Sequence, residues 1–148
     1  EYNVRFGDPE TQVLMMRFAS DIVPYLKACA NSELEQLNAP EWHADAACTV
    51  ILAAPGYPGE YAKGLIINGL DDVEQDDTLQ VFHAGTRIGE EGQIETSGGR
   101  VLAVTALAPS IAEARAKAYK AAETITFEGK QMRYDIGLAA EQAGELSH

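Results

Sequence analysis

The polar and apolar positions of the chain fall into a short series of elements. Glu1–Phe6 alternates polar and apolar residues, the period of a strand. Asp8-Pro9-Glu10 then marks a helix start, with Asp8 as the cap, Pro9 in the first turn and Glu10 at the positive end of the helix dipole. Leu14, Phe18, Ile22, Tyr25 and Cys29 follow at helical spacing and form one apolar stripe. Pro24 interrupts it, which predicts either a kink or a second helix restarting near Asp21. Residues 31–45 are polar and irregular. Ala46–Ala54 is an apolar, partly β-branched run that predicts a buried strand. Pro55–Gly59 is a turn cluster, and short strands are predicted over Leu65–Ile67 and Leu79–His83. A turn over Arg87–Gln93 precedes a strand over Arg100–Leu107. Ser110 and Glu113 have the spacing of a capping box for a helix running to about Thr124, with Ala114, Ala118, Ala121 and Ile125 on one face. Tyr134–Ala140 is a short terminal segment, and Glu141–His148 is expected to fray. The order predicts an α+β fold with a mostly antiparallel sheet, a long N-terminal helix and a second helix near the C-terminus.

Composition narrows the partners. The 148 residues suffice for one domain with a real core, and their formal net charge is −12. Such a surface repels nucleic acid and anionic membranes, so neither is expected as a main partner. Solubility accounts for the acidic excess. Asp71-Asp72 and Asp76-Asp77 lack the ligand offsets and glycine of a calcium loop and predict a solvated loop. No apolar run is long enough for a membrane helix. Cys29 and Cys48 form no metal-binding pair and predict reduced, largely buried thiols of a cytoplasmic protein. The chain opens on a glutamate rather than a methionine, which is expected of a fragment.

The chemistry begins at the first residue. On a strand, Glu1, Asn3 and Arg5 share a face, with neighbours about 6.5–7 Å apart. A carboxylate and an amide oxygen suit a hard cation such as Mg²⁺, and an arginine beside them supplies a bidentate partner for phosphoryl oxygens. Alternation alone equally describes a solvated sheet face. The literal strings carry more. Glu1-x-Asn3-x-Arg5 resembles the metal-ligand strand of ATP-grasp ligases, and Arg5-Phe6-Gly7-Asp8-Pro9-Glu10-Thr11-Gln12 is similar to the signature of the phosphoribosylamine–glycine ligase family. Gly56-Tyr57-Pro58-Gly59, Lys63-Gly64, Phe82-His83-Ala84-Gly85-Thr86, Gly98-Gly99-Arg100-Val101-Leu102 and Arg133-Tyr134-Asp135-Ile136-Gly137 resemble that family's C-terminal blocks, in order.

The resemblance implies an ATP-dependent carbon–nitrogen ligase that joins glycine to 5-phosphoribosylamine in purine biosynthesis. It implies Glu1 and Asn3 as ligands to Mg²⁺ or Mn²⁺, Arg5 as the residue stabilising the transferring phosphoryl group, and Asp8, Glu10, His83 and Arg100 as substrate contacts. Each contact has a simpler alternative: helix capping for Asp8, dipole stabilisation for Glu10, a turn hydrogen bond for His83 and an internal ion pair for Arg100. Arg133 beside Asp135 predicts an ion pair, and Lys63-Gly64 lacks the spacing of a phosphate loop. The resemblance also implies that residues 1–30 are the tail of the ATP-grasp domain and 31–148 a C-terminal β-rich domain. The fragment alone is expected to be inactive, and the full-length enzyme to be a monomer. The alternative is a non-catalytic binding or oligomerisation module.

Overall fold

A computed structural model of the chain describes residues 4–145. Its centre is a three-stranded antiparallel sheet of β1 (Ala46–Ala53), β2 (Leu79–His83) and β5 (Arg100–Ala108), in the order β1-β5-β2. A separate two-stranded hairpin joins β3 (Thr86–Ile88) to β4 (Ile94–Thr96). The α+β class with antiparallel pairing is therefore as the sequence predicts.

β5 occupies the middle position because its run from Val101 to Leu107 is buried on both faces and apolar except for Thr105. Register fixes its two faces. Cys48, Val50 and Leu52 lie opposite Ala106, Val104 and Leu102, and Leu79 and Val81 lie opposite Ala106 and Val104 from the other side. This face packs on α3 (Ile111–Thr124) through Ala114, Ala118, Ala121, Ala122 and Ile125. Small alanines let the helix sit close, and each large side chain buried here contributes about 1.5–3 kcal/mol. The opposite face carries Thr49, Ile51, Ala103 and Thr105, where the Thr49 and Thr105 hydroxyls bond at 2.7 Å. There β1 and β5 meet α1 (Glu10–Arg17).

Of the two alternatives at Pro24 the structure takes the second, a new helix starting beside Asp21, so the long N-terminal helix is two shorter ones; the cap of α1 and the C-terminal end differ from expectation. The apolar stripe from Leu14 to Cys29 belongs to two helices, α1 and α2 (Ile22–Asn31). The chain is extended at Phe18 and Asp21, and the Asp21 carboxylate caps α2 by accepting from the Val23 amide at 2.9 Å. Pro24 thus falls in the first turn of a new helix, where its missing N–H costs nothing. Asp8 does not cap α1; Pro9 holds that position with no side-chain bond. Residues 141–145, expected to fray, belong to a further α-helix, α4 (Leu138–Glu145), and residues 146–148 lie outside the described residues.

Two strand predictions also change. Residues 4–6 are not a strand, and residues 1–3 lie outside the described residues. Leu65–Ile67 is not a regular strand. Gly64 and Gly69 on either side adopt positive φ (79° and 81°), which breaks the ladder to single bridges such as Ile66 with Glu95.

Candidate functional site

β1 and β2 both run antiparallel to β5, so their C-terminal ends and the start of β5 share one end of the sheet. A hollow of about 620 Å³ opens there, lined by Pro9, Ile51, Ala53, Tyr57, Arg100 and residues 130–134. Its floor is the α1-side face of β1 and its far wall is the 130–134 segment. Ala53 and Gln131 hold that wall to the sheet by exchanging backbone bonds of 2.8 and 3.0 Å.

Glycines make the near rim possible. A Cβ on Gly99 would lie 2.2 Å from the Tyr57 ring, so only glycine lets Tyr57 lie over the start of β5. One on Gly85 would meet the backbone of Gly98 at 2.6 Å, so the β2 end and the turn before β5 touch directly.

Arg100 is the cation at the mouth. Its Nε lies 3.2 Å from the Asp8 carboxylate, and its Nη1 donates to the Asp8 carbonyl at 3.1 Å. Both side chains are about two-fifths exposed, so the pair is worth at most about 1 kcal/mol and is readily exchanged for another anion. Arg133 forms a bidentate pair with Asp135, at 2.9 and 2.6 Å. That bonding holds the Asp135 carboxyl below its usual range and the Arg133 guanidinium above its own. Lys130 turns away, donating to the carbonyls of Ala122 and Ile125 at the end of α3, and its burial lowers its pKa.

The residues named from sequence scatter around this hollow. Arg100 lines it and Asp8 braces Arg100. Glu10 is exposed and lies beside Gly7, where an added Cβ would meet its carboxylate at 2.3 Å. His83 shares the same sheet end but pairs with Leu102, on the α3 side, and its Nδ1 lies 3.0 Å from the Thr86 hydroxyl. Arg5 is exposed and donates to the Phe6 carbonyl at 2.9 Å. Glu1 and Asn3 lie outside the described residues, among which no group of three or more His, Cys, Asp or Glu is arranged to hold a metal. Of the cysteines, Cys48 is buried, and burial raises its pKa, whereas Cys29 is exposed because it faces a surface groove.

Arg115 and Tyr119 carry no motif in the sequence. Both lie on α3 and bond to the 133–136 backbone. Their spacing of four residues on a predicted helix was the available signal.

A second hollow, of about 450 Å³, is apolar and lies among α1, α2 and the loop after them, with Phe18, Leu26, Leu34 and Trp42 in its lining. Leu26, Leu34 and Trp42 are each nearly half exposed, although a soluble surface ordinarily covers such residues.

The chain is thus an antiparallel α+β domain with a basic residue at the mouth of an open, part-apolar hollow. The family described as phosphoribosylglycinamide synthetase, C domain, matches residues 47–139, and the chain belongs to that family. It is 50% identical over 137 residues to a phosphoribosylamine–glycine ligase of Synechocystis sp., covering 93% of this chain and 32% of that protein. It is 47% identical over 141 residues to the chloroplastic phosphoribosylamine–glycine ligase of Arabidopsis thaliana, covering 95% of this chain and 26% of that protein. A crystal structure of phosphoribosylamine–glycine ligase from Thermotoga maritima superposes with a TM-score of 0.70 at 35% identity, covering 91% of this chain and 32% of that one. The chain thus spans about a quarter to a third of the length of these relatives. No helix among the described residues is long and apolar enough to cross a membrane.

Proposed function

We propose that this chain is the C-terminal part of an ATP-dependent ligase that joins glycine to 5-phosphoribosylamine, and that the hollow at the Arg100 end of the sheet receives the phosphosugar. The observation that carries the reading is that sequence blocks far apart in the chain line one hollow. Pro9, Tyr57, Arg100 and Arg133-Tyr134 come from four of the family-like strings and meet in one place.

In the proposed reaction a glycine carboxylate oxygen attacks the terminal phosphorus of ATP and ADP leaves. The amine of 5-phosphoribosylamine then attacks the acyl carbon, phosphate departs, and a proton is lost from nitrogen to give glycinamide ribonucleotide. Arg5 neutralises charge on the transferring phosphoryl group, where fixed positive charge lowers the barrier. Arg100 gives up its exposed pairing with Asp8 to grip the sugar phosphate bidentately. Asp8, released from Arg100, is then free to accept from the glycine ammonium. Glu10 and His83 stand outside the hollow's lining and serve as outer contacts to the substrates. The donor chemistry of Glu1 and Asn3 fits Mg²⁺ or Mn²⁺, which would neutralise charge on the ATP phosphates when bound.

Residues 1–30 are read as the tail of the ATP-grasp domain and 31–148 as the C-terminal domain. Two observations support this: the family match begins at residue 47, and α1 and α2 bury only Ala28 between them. The apolar hollow beside Trp42 is then the face turned toward the rest of the ligase. A cytoplasmic, monomeric enzyme remains the reading for the whole protein, with no nucleic-acid or membrane partner. Incubated with ATP, Mg²⁺, glycine and 5-phosphoribosylamine, the 148-residue chain alone should release no ADP above blank, whereas the full polypeptide should turn over. Turnover by the chain alone would refute the reading that it carries only part of the active site.

A further inference from the structure

The 132–136 segment follows the Gln131 bridge outside any strand, yet the carbonyls of residues 133–136 and the Ile136 amide all have partners. Two side chains of α3 supply four of these bonds. Arg115 donates from Nε to the Ile136 carbonyl at 2.9 Å and from Nη2 to the Tyr134 carbonyl at 2.7 Å. The Tyr119 hydroxyl donates to the Arg133 carbonyl at 2.6 Å and accepts from the Ile136 amide at 3.1 Å. The Tyr119 and Tyr134 rings stack with centroids 6.1 Å apart and planes 10° apart, and the Arg115 guanidinium lies 5.0 Å from the Tyr119 ring centroid. Arg115 is braced from behind by Glu141 of α4 at 3.6 Å.

Irregular backbone must find partners for its N–H and C=O groups, and water would serve for an exposed strip such as this one. A guanidinium fork on two carbonyls and a half-exchanged tyrosine hydroxyl do more, because they fix the strip's position relative to α3. The strip carries the Met132–Tyr134 wall of the hollow, so its position sets the distance from Arg133 and Tyr134 to Arg100 and Tyr57 across the opening.

We propose that Arg115 and Tyr119 are positioning residues for the phosphosugar: they touch no substrate, but hold the 132–134 wall at the spacing the ligand needs. This rests on the reading that the hollow receives the phosphosugar. The test uses the full polypeptide with three variants: Arg115→Lys, which keeps the charge and loses the fork, Tyr119→Phe, which keeps the ring stack and loses the hydroxyl, and Arg100→Ala as the reference. The expected result is that Arg115→Lys and Tyr119→Phe each raise KM for 5-phosphoribosylamine about five- to tenfold, with kcat and the KM values for ATP and glycine within about twofold. A merely structural role would lower the melting temperature and the active fraction, hence kcat, at unchanged KM. That result, alongside a raised KM in Arg100→Ala, would overturn the positioning role and leave the hollow standing. An unchanged KM in Arg100→Ala would overturn the hollow reading and the positioning role with it.

Discussion

Single residues decide where loops stop being free. In the acidic loop after Leu70, Asp76 accepts from both the amide and the hydroxyl of Thr78, each at 2.7 Å, and lies 3.8 Å from Lys117. The Thr78 bonds hold its carboxyl below the ordinary value of 3.8. A lowered carboxylate pKa stabilises the fold above the unfolded value, and that contribution is lost as pH falls through the folded one. Asp76→Asn should therefore melt below wild type near pH 7, with the gap narrowing as pH falls below the ordinary carboxylate value of 3.8. A gap independent of pH would mean that the charge has no part in it. The same scale exposes a limit of reading the sequence. Arg133 with Asp135 was legible because the partners are two residues apart. Arg100 with Asp8 was not, because 92 residues separate them and only the fold brings them together.

Among elements, those with local signals came through and those needing tertiary context did not. Ser110 and Glu113 form the reciprocal capping box the spacing predicts: Ser110 Oγ accepts from the Glu113 amide at 3.2 Å, and the Glu113 carboxylate accepts from the Ser110 amide at 3.1 Å. Ser110→Ala should cost about 1 kcal/mol of stability, read as a lower urea midpoint at unchanged slope. A change within about 0.2 kcal/mol would show that sheet packing alone sets where α3 begins. β1, β2 and β5 were legible because apolar, β-branched runs of that length are already strand-like. The break between α1 and α2 was visible only as a choice, since an apolar stripe is continuous whether one helix or two carry it. It took the Asp21 cap and an extended Phe18, packed edge-on against Tyr25 and Trp42 at 5.7 and 5.1 Å, to settle it.

At the scale of the molecule, one arrangement gathers the rest. A sheet centred on β5 has α3 on one face and α1 on the other, and at its end opens a hollow that no single element forms. The family-like strings carry Pro9, Tyr57, Arg100, Arg133 and Tyr134 of this hollow, but of the substrate contacts named from sequence only Arg100 lines it, and nothing in the strings showed their meeting. Pro9 and Tyr134 approach because α1 crosses the sheet while the chain beyond α3 returns to pair Gln131 with Ala53. The α3 clamp on the far wall left only the four-residue spacing of Arg115 and Tyr119 in the sequence, and that spacing describes a solvent-facing pair equally well. The Arg100 pairing with Asp8 is exposed and exchangeable, which suits a residue that must change partners. The most direct measurement is a crystal structure of the full polypeptide bound to glycinamide ribonucleotide. The account predicts the sugar phosphate in the hollow, within about 3 Å of the Arg100 guanidinium, with the Asp8 contact broken. A phosphate bound elsewhere, with Arg100 still paired to Asp8, would contradict it.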